Sequence, residues 1–225
     1  MSSKTSPSLD LEHELVANFG CRFVVGIDEV GRGAIAGPVC VGVAVVDFAT
    51  EVAPWPKDLR DSKLLSEPKR EAVAPLTAEW VTGWAVGEAS VAEIEQHGIT
   101  RSLAIAAKSA LGQLNIDGLT RSNTVLLLDG KHNWLAPVSG GVRTVTQIKA
   151  DQTSAVVAAA SVLAKVHRDG LLRAADERYP GFGLAQNKGY AAANQIERLR
   201  QVGPTDYHRV SWLTKILSTE DQTTI

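Results

Sequence analysis

Two short runs of β-branched and apolar residues, at 23–27 and 39–46, are joined by the segment VGRGAIAGP, and this pairing leaves the chain few folds to choose from. Such runs, bounded by glycine and proline, read as strands buried on both faces. Glycines after a first strand also open dinucleotide-binding turns, but that turn needs a helix to begin at the glycines and hold a pyrophosphate on its N-terminus. Pro38 and the β-branched run behind it point to another strand, so the segment predicts a hairpin. Gly31, Arg32 and Gly33 within it then offer exposed backbone N–H groups and one guanidinium, a grip for a phosphate or a ribose hydroxyl.

The remaining pattern predicts further strands at 80–86, 124–128 and 142–148. A short helix carries Leu11, Leu15 and Phe19 on one face and stops at Gly20, after frayed residues 1–8. Residues 50–70, with Pro54, Pro56 and Pro68, read as an excursion loop, and 181–189 as a second loop. Residues 99–114 have helical spacing, with Leu103, Ala107 and Ala110 sharing a face. The stretch 153–175 is apolar nearly all round, which marks a buried helix, and 191–202 is a helix stopped by Gly203 and Pro204. Strands lead and helices follow, so one mixed α/β domain is expected over 21–217, between an N-terminal tail with a short helix (1–20) and a tail at 218–225.

The 225 residues are 44% hydrophobic and 21% charged, enough for a sizeable core, and 23 Lys+Arg against 25 Asp+Glu exclude a polycation or an acidic disordered tail. No run approaches the ~18 apolar residues of a membrane span, and the opening MSSKTSPSLDLEHE lacks the apolar region of an export signal. A soluble, cytoplasmic protein is expected, with Cys21 and Cys40 as reduced core residues. The five histidines are dispersed without metal-ligand spacing, and His208 in GPTDYHR is expected either to support the site from behind or to be structural, rather than to be catalytic.

Chance alone supplies as many adjacent acidic pairs as the chain has, so Asp28 and Glu29 matter only for their setting. They end the run 23–27; Asp129 ends the run 124–128, with glycine next; Asp151 follows the run 142–148, just before the long helix. Carboxylates at the ends of buried strands need compensation, by a cation or by hydrogen bonds. If those ends are neighbours in one sheet, the four form an oxygen-rich cluster suited to hard divalent ions such as Mg²⁺ or Mn²⁺. Tyr190, beside Lys188 at the start of the 191–202 helix, could stack on a sugar or base or belong to the core.

The strings GIDEVGRGAIAGPV, RDSKLLS, LLLDGK, KAD, AAASVLAKVHRD, NKGY and GPTDYHR, over roughly residues 22–213, resemble bacterial ribonuclease HII in order and spacing. The resemblance implies the ribonuclease H-like fold, a five-stranded mixed sheet flanked by helices with a C-terminal helical extension. It also implies cleavage of RNA in RNA–DNA hybrids and at single ribonucleotides embedded in duplex DNA. By motif, Asp28, Glu29, Asp129 and Asp151 would bind two Mn²⁺ or Mg²⁺ ions. Gly31, Arg32 and Gly33 would read the 2′-hydroxyl and its phosphate, Tyr190 would stack on the neighbouring deoxyribose, and Lys63 would touch a phosphate. The family often has His where this chain has Asn187, and Asp169 competes with Asp151 for the fourth carboxylate; Asp151 is preferred because it follows a strand directly. No membrane and no obligate protein partner are inferred, and a monomer is expected. Two rival readings are a two-metal DNA nuclease or recombinase of the same fold and a non-catalytic hybrid-binding module.

Overall fold

The computed structural model describes residues 6–217; residues 1–5 and the tail expected at 218–225 lie outside the described residues. Five strands form one sheet: β1 (Phe23–Val30), β2 (Val39–Asp47), β3 (Gly83–Ala89), β4 (Thr124–Asp129) and β5 (Arg143–Gln147), in the order β3-β2-β1-β4-β5. The first three are antiparallel neighbours, as the short connection from β1 to β2 demands, while β4 and β5 lie parallel to β1. The mixed five-stranded sheet is the one the resemblance implies.

The helices, in chain order, are α1 (Asp10–Phe19), α2 (Glu67–Trp80), α3 (Val91–His97), α4 (Ile99–Gln113), α5 (Ala150–Thr153), α6 (Ala155–Arg178), α7 (Leu184–Asn187), α8 (Ala193–Val202) and α9 (Val210–Leu217). Among the described residues no helix is long and apolar enough to cross a membrane. Several expectations need correction. Part of the 50–70 loop belongs to α2: Pro68 stands in the first turn, where no intrahelical N–H is required. The third strand therefore starts at Gly83 rather than at residue 80. Ser8 is not frayed, because its N–H donates to the Thr153 carbonyl and its own carbonyl accepts from Ala155. And β1 does not stop at Ile27 but runs through Asp28 and Glu29 to Val30, its ladder with β2 continuing to the pair Val30 and Cys40.

The two faces of the sheet bury different helices. Phe23, Val25 and Ile27 of β1, with Val39, Val41 and Val43 of β2, pack under Leu103 and Ala107 of α4. On the other face Val24 and Leu127 meet Leu15 of α1 and Val157 of α6, and Ala44 and Val46 meet the alanines of α6. The apolar character of α6 all round follows from this central position. Its backbone approaches the sheet so closely that a Cβ added to Gly42 would stand 2.4 Å from the Ala160 carbonyl oxygen. Gly42→Ala is therefore expected to lower unfolding free energy by ~1–3 kcal/mol through overpacking. Urea denaturation checks this, and wild-type stability in the variant would contradict it.

A third apolar cluster sits at one end of the sheet. Ile35 and Ala36 of the β1–β2 connection pack there with Leu172 of α6, Phe182, Leu199 of α8 and Leu213 of α9. The C-terminal helices thus act as a buttress for the glycine-rich connection.

Candidate active site

The parallel ladder between β1 and β4 pairs Ile27 with Leu128, and one residue further on sets Asp28 beside Asp129. Asp129 Oδ1 accepts the Ala150 N–H at 2.7 Å, which fastens α5 and its buried Asp151 to the end of β4. Asp28, Asp129 and Asp151 are brought together by register and by this one hydrogen bond. Strand alternation sends Glu29 to the opposite side from Asp28, near the strand end, where its Oε1 lies 3.3 Å from Arg32 Nη1. Both carboxylates still line one cleft of about 200 Å³, together with residues 30–33, Ser62, Lys63, Lys165 and Tyr190.

The electrostatics of this cleft are those of like charges short of counter-charge. Burial, then the neighbouring Glu29 and Asp129, raises the Asp28 carboxyl well above the usual range, against a hydrogen bond from Ser161. Burial also raises Glu29, with Arg32 opposing. Asp151 is pushed up to about 6 by burial, then by Asp129 and Asp61, with Lys63 opposing. Lys63 Nζ lies 3.5 Å from Asp151 Oδ2. Burial pulls that ammonium down, yet Asp28, Asp151, Asp61 and Asp129 together hold it above its ordinary value. The Lys63 ammonium is thus shared among several carboxylates.

Asp169, the competing fourth carboxylate, is held elsewhere: Lys165 Nζ reaches its Oδ1 at 2.5 Å and Arg70 Nη2 its Oδ2 at 3.5 Å. Both carboxylates are thus ion-paired, Asp169 with two cations and Asp151 with the exposed Lys63 alone. Among the described residues no three carboxylate, histidine or cysteine side chains already converge as a ready ligand set. The donor chemistry nevertheless fits a hard divalent ion: all-oxygen, buried, and destabilised as ionised groups by one another. Side-chain rotation by Glu29 and displacement of Lys63 would be needed to close a shell.

Tyr190 is partly exposed at the rim. Asn187, where the family often has His, braces the preceding turn: its Nδ2 donates to the Phe182 carbonyl and its Oδ1 accepts from Gly189, both at 2.8 Å. His208 is buried, accepts the Thr205 N–H at 3.2 Å on Nδ1, and is pushed down to about 4 by burial, so the ring is neutral and structural.

Three buried polar residues near the cleft received no role from the sequence. Asp61 is almost fully enclosed, accepting the Lys63 N–H at 2.9 Å and Gln152 Nε2 at 3.3 Å. Arg168 and Arg209 are fully buried beneath the 31–38 connection. Arg168 is one of four charged residues in the stretch 153–175, with Lys165, Asp169 and Arg173, so nothing in the composition singles it out, and the same holds for Arg209.

The sequence model of a family described as Ribonuclease HII matches residues 25–215. The ribonuclease HII of Streptomyces griseus subsp. griseus is 44% identical over 209 residues, covering 92% of this chain and 84% of the relative. The solved ribonuclease H2 of Pyrococcus horikoshii OT3 superposes with a TM-score of 0.67 at 24% identity, covering 87% of this chain and 97% of the other. Bst-RNase HIII, solved in complex with Mn²⁺, superposes with a TM-score of 0.66 at 20% identity, over 87% of this chain and 68% of that one. These two structural likenesses bear on the fold.

Proposed function

The chain belongs to the ribonuclease HII family and is a ribonuclease H-type endonuclease, and from that premise we propose what its cleft acts on and how. It cleaves the RNA strand of RNA–DNA hybrids and the strand 5′ of single ribonucleotides embedded in duplex DNA, leaving a 3′-hydroxyl and a 5′-phosphate. The observation that carries this reading is one cleft lined both by the Asp28 and Glu29 carboxylates and by the Gly31, Arg32 and Gly33 turn with Lys63. The carboxylates suit a phosphodiester only when metal-neutralised, since bare carboxylates repel nucleic acid.

Asp28, Glu29, Asp129 and Asp151 would hold Mn²⁺ or Mg²⁺, and a pair of such ions supplies, when bound, an activated water and charge stabilisation for an in-line displacement at phosphorus. The Mn²⁺ bound by Bst-RNase HIII supports that choice of ion class. The protein's own groups do the selecting. Backbone N–H groups of the turn donate to the ribose 2′-hydroxyl oxygen and the adjoining phosphate. Arg32 and Lys63 bind phosphate oxygens by charge-assisted hydrogen bonds, and the Tyr190 ring stacks on the neighbouring deoxyribose. The 2′-hydroxyl serves recognition rather than attack: using it as nucleophile calls for an acid–base histidine pair, and His208 is enclosed and neutral. The enzyme is proposed to act as a monomer in the cytoplasm.

A labelled RNA–DNA hybrid incubated with Mg²⁺ or Mn²⁺, and again after chelation, tests the reading. Metal-dependent cleavage is expected; chelator-insensitive binding without strand cleavage would mean a binding module instead. Arg32→Ala is expected to weaken hybrid binding by ~10-fold or more, the scale of one charge-assisted hydrogen bond. Thermal stability should barely move, because the Arg32 side chain is half exposed. Titration of hybrid binding alongside a melting curve checks both. Unchanged affinity with a large loss of stability would make Arg32 structural.

A further inference from the structure

We propose that Arg168 and Arg209 are positioning residues that template the substrate-reading turn, by drawing its carbonyl groups inward so that the N–H groups of Arg32 and Gly33 face the cleft. The proposal rests on the reading of that turn given above. Among the described residues every hydrogen bond made by these two guanidiniums goes to a backbone carbonyl. Arg209 donates to Gly31 at 2.8 Å, to Arg32 at 3.0 Å and to Gly37 at 2.9 and 3.1 Å. Arg168 donates to Pro38 at 2.9 Å, to Ala36 at 3.1 Å and to Lys188 at 2.8 Å, just before Gly189 and Tyr190.

The consequence follows from the planarity of the trans peptide. No peptide bond among the described residues is cis, so each C=O points opposite to the N–H of the next residue. With the Gly31 carbonyl bound from beneath, the Arg32 N–H points away from Arg209; with the Arg32 carbonyl bound likewise, so does the Gly33 N–H. Neither N–H donates to an acceptor among the described residues. Further along the connection the pattern reverses: the N–H groups of Ile35 and Ala36 are bonded to the Gly189 carbonyl and that of Gly37 to the Tyr207 carbonyl. The free donors are confined to the tip. Gly31 has φ +82°, and a Cβ there would stand 2.0 Å from Arg168 Nε, so the turn closes onto the guanidinium because residue 31 carries no side chain.

Two guanidiniums are used where neutral donors could have filled the same bonds, and among the described residues neither is hydrogen-bonded to a carboxylate, Glu95 attracting Arg209 only through space. Burial, with the Arg168 charge alongside, brings Arg209 down to about 10, so it stays cationic at neutral pH. The floor of the turn therefore carries positive charge toward the place where a phosphate would sit.

The test compares Arg209→Lys and Arg168→Lys with Leu103→Ala, a core change in α4 on the far face of the sheet. Lysine keeps the charge but cannot fork to several carbonyls at once. Cleavage of a duplex with one ribonucleotide and of the same duplex in all-DNA form is measured for each protein, well below its melting temperature. Each lysine variant is expected to lose ~10²-fold in kcat/KM on the ribose substrate, the scale of a misplaced binding group, with a matching fall in ribose discrimination. Leu103→Ala should lose stability yet keep the wild-type discrimination. Because a lysine variant can fail to fold, amide exchange in the wild-type protein provides an independent reading. Arg32 and Gly33 should exchange fast while Ile35, Ala36 and Gly37 are protected. Lysine variants that fold and keep wild-type discrimination, or protected Arg32 and Gly33 amides in the free protein, would overturn the proposal. A wild-type enzyme indifferent to the ribose would overturn the reading of the turn itself, and that result is visible before any variant is compared.

Discussion

Asp129→Asn is expected to abolish most cleavage, by at least ~10²-fold, while the protein folds as before. The magnitude is a lower bound, since residues that merely orient metal ligands already cost ~10–100-fold when lost. Folding should survive because asparagine keeps an oxygen in the Oδ1 position, where the Ala150 N–H donates at 2.7 Å. Stability should hold or rise, because Asp129 is among the charges that push Asp28 and Asp151 upward, and an amide removes that repulsion. Kinetics at saturating Mn²⁺, with a melting curve of the metal-free protein, check both halves. Near-normal cleavage at saturating metal would remove Asp129 from the site.

Replacing the single ribonucleotide of a duplex by its 2′-deoxy counterpart is expected to reduce cutting by as much as ~10⁴-fold, because a site built to hydrogen-bond a hydroxyl is left with unpaired polar groups when the hydroxyl is missing. The donors at stake are the unspent N–H groups of Arg32 and Gly33. A 2′-fluoro residue, which cannot donate and accepts poorly, should also be cut very slowly. Efficient cutting of the all-DNA duplex at the same position would favour a DNA nuclease of the same fold.

Much of this was legible in the residues because buried strands announce themselves by β-branched runs, and all five strands fall on the predicted stretches or within a few residues of them. The helix α2 was hidden by its prolines: Pro68 is harmless in a first turn but reads as loop when no tertiary context is given. The carboxylates were legible one by one, Asp28, Glu29 and Asp129 at the ends of apolar runs and Asp151 shortly after an alternating one. Their convergence was not, because it depends on the register that pairs Ile27 with Leu128 and on the bond from Ala150 to Asp129. The choice between Asp151 and Asp169 had the same character: both are buried, and only their partners differ, Lys63 for one and Lys165 with Arg70 for the other. Arg168 and Arg209 were the hardest to read. An arginine in a sequence is by default a surface residue, and nothing short of the folded backbone reveals that several carbonyls of one connection point at two guanidiniums.

The acidic cleft is proposed to hydrolyse the bond 5′ of a ribonucleotide with the 2′-hydroxyl as a handle and not as the nucleophile. The most direct test of this proposal is the chemistry of the ends produced from an end-labelled duplex bearing one ribonucleotide, cut in the presence of Mn²⁺ or Mg²⁺. One cut is predicted, on the 5′ side of the ribonucleotide, with a free 3′-hydroxyl on the upstream fragment and a 5′-phosphate on the fragment that keeps the ribose. A cut on its 3′ side, ending in a 2′,3′-cyclic phosphate, would contradict it.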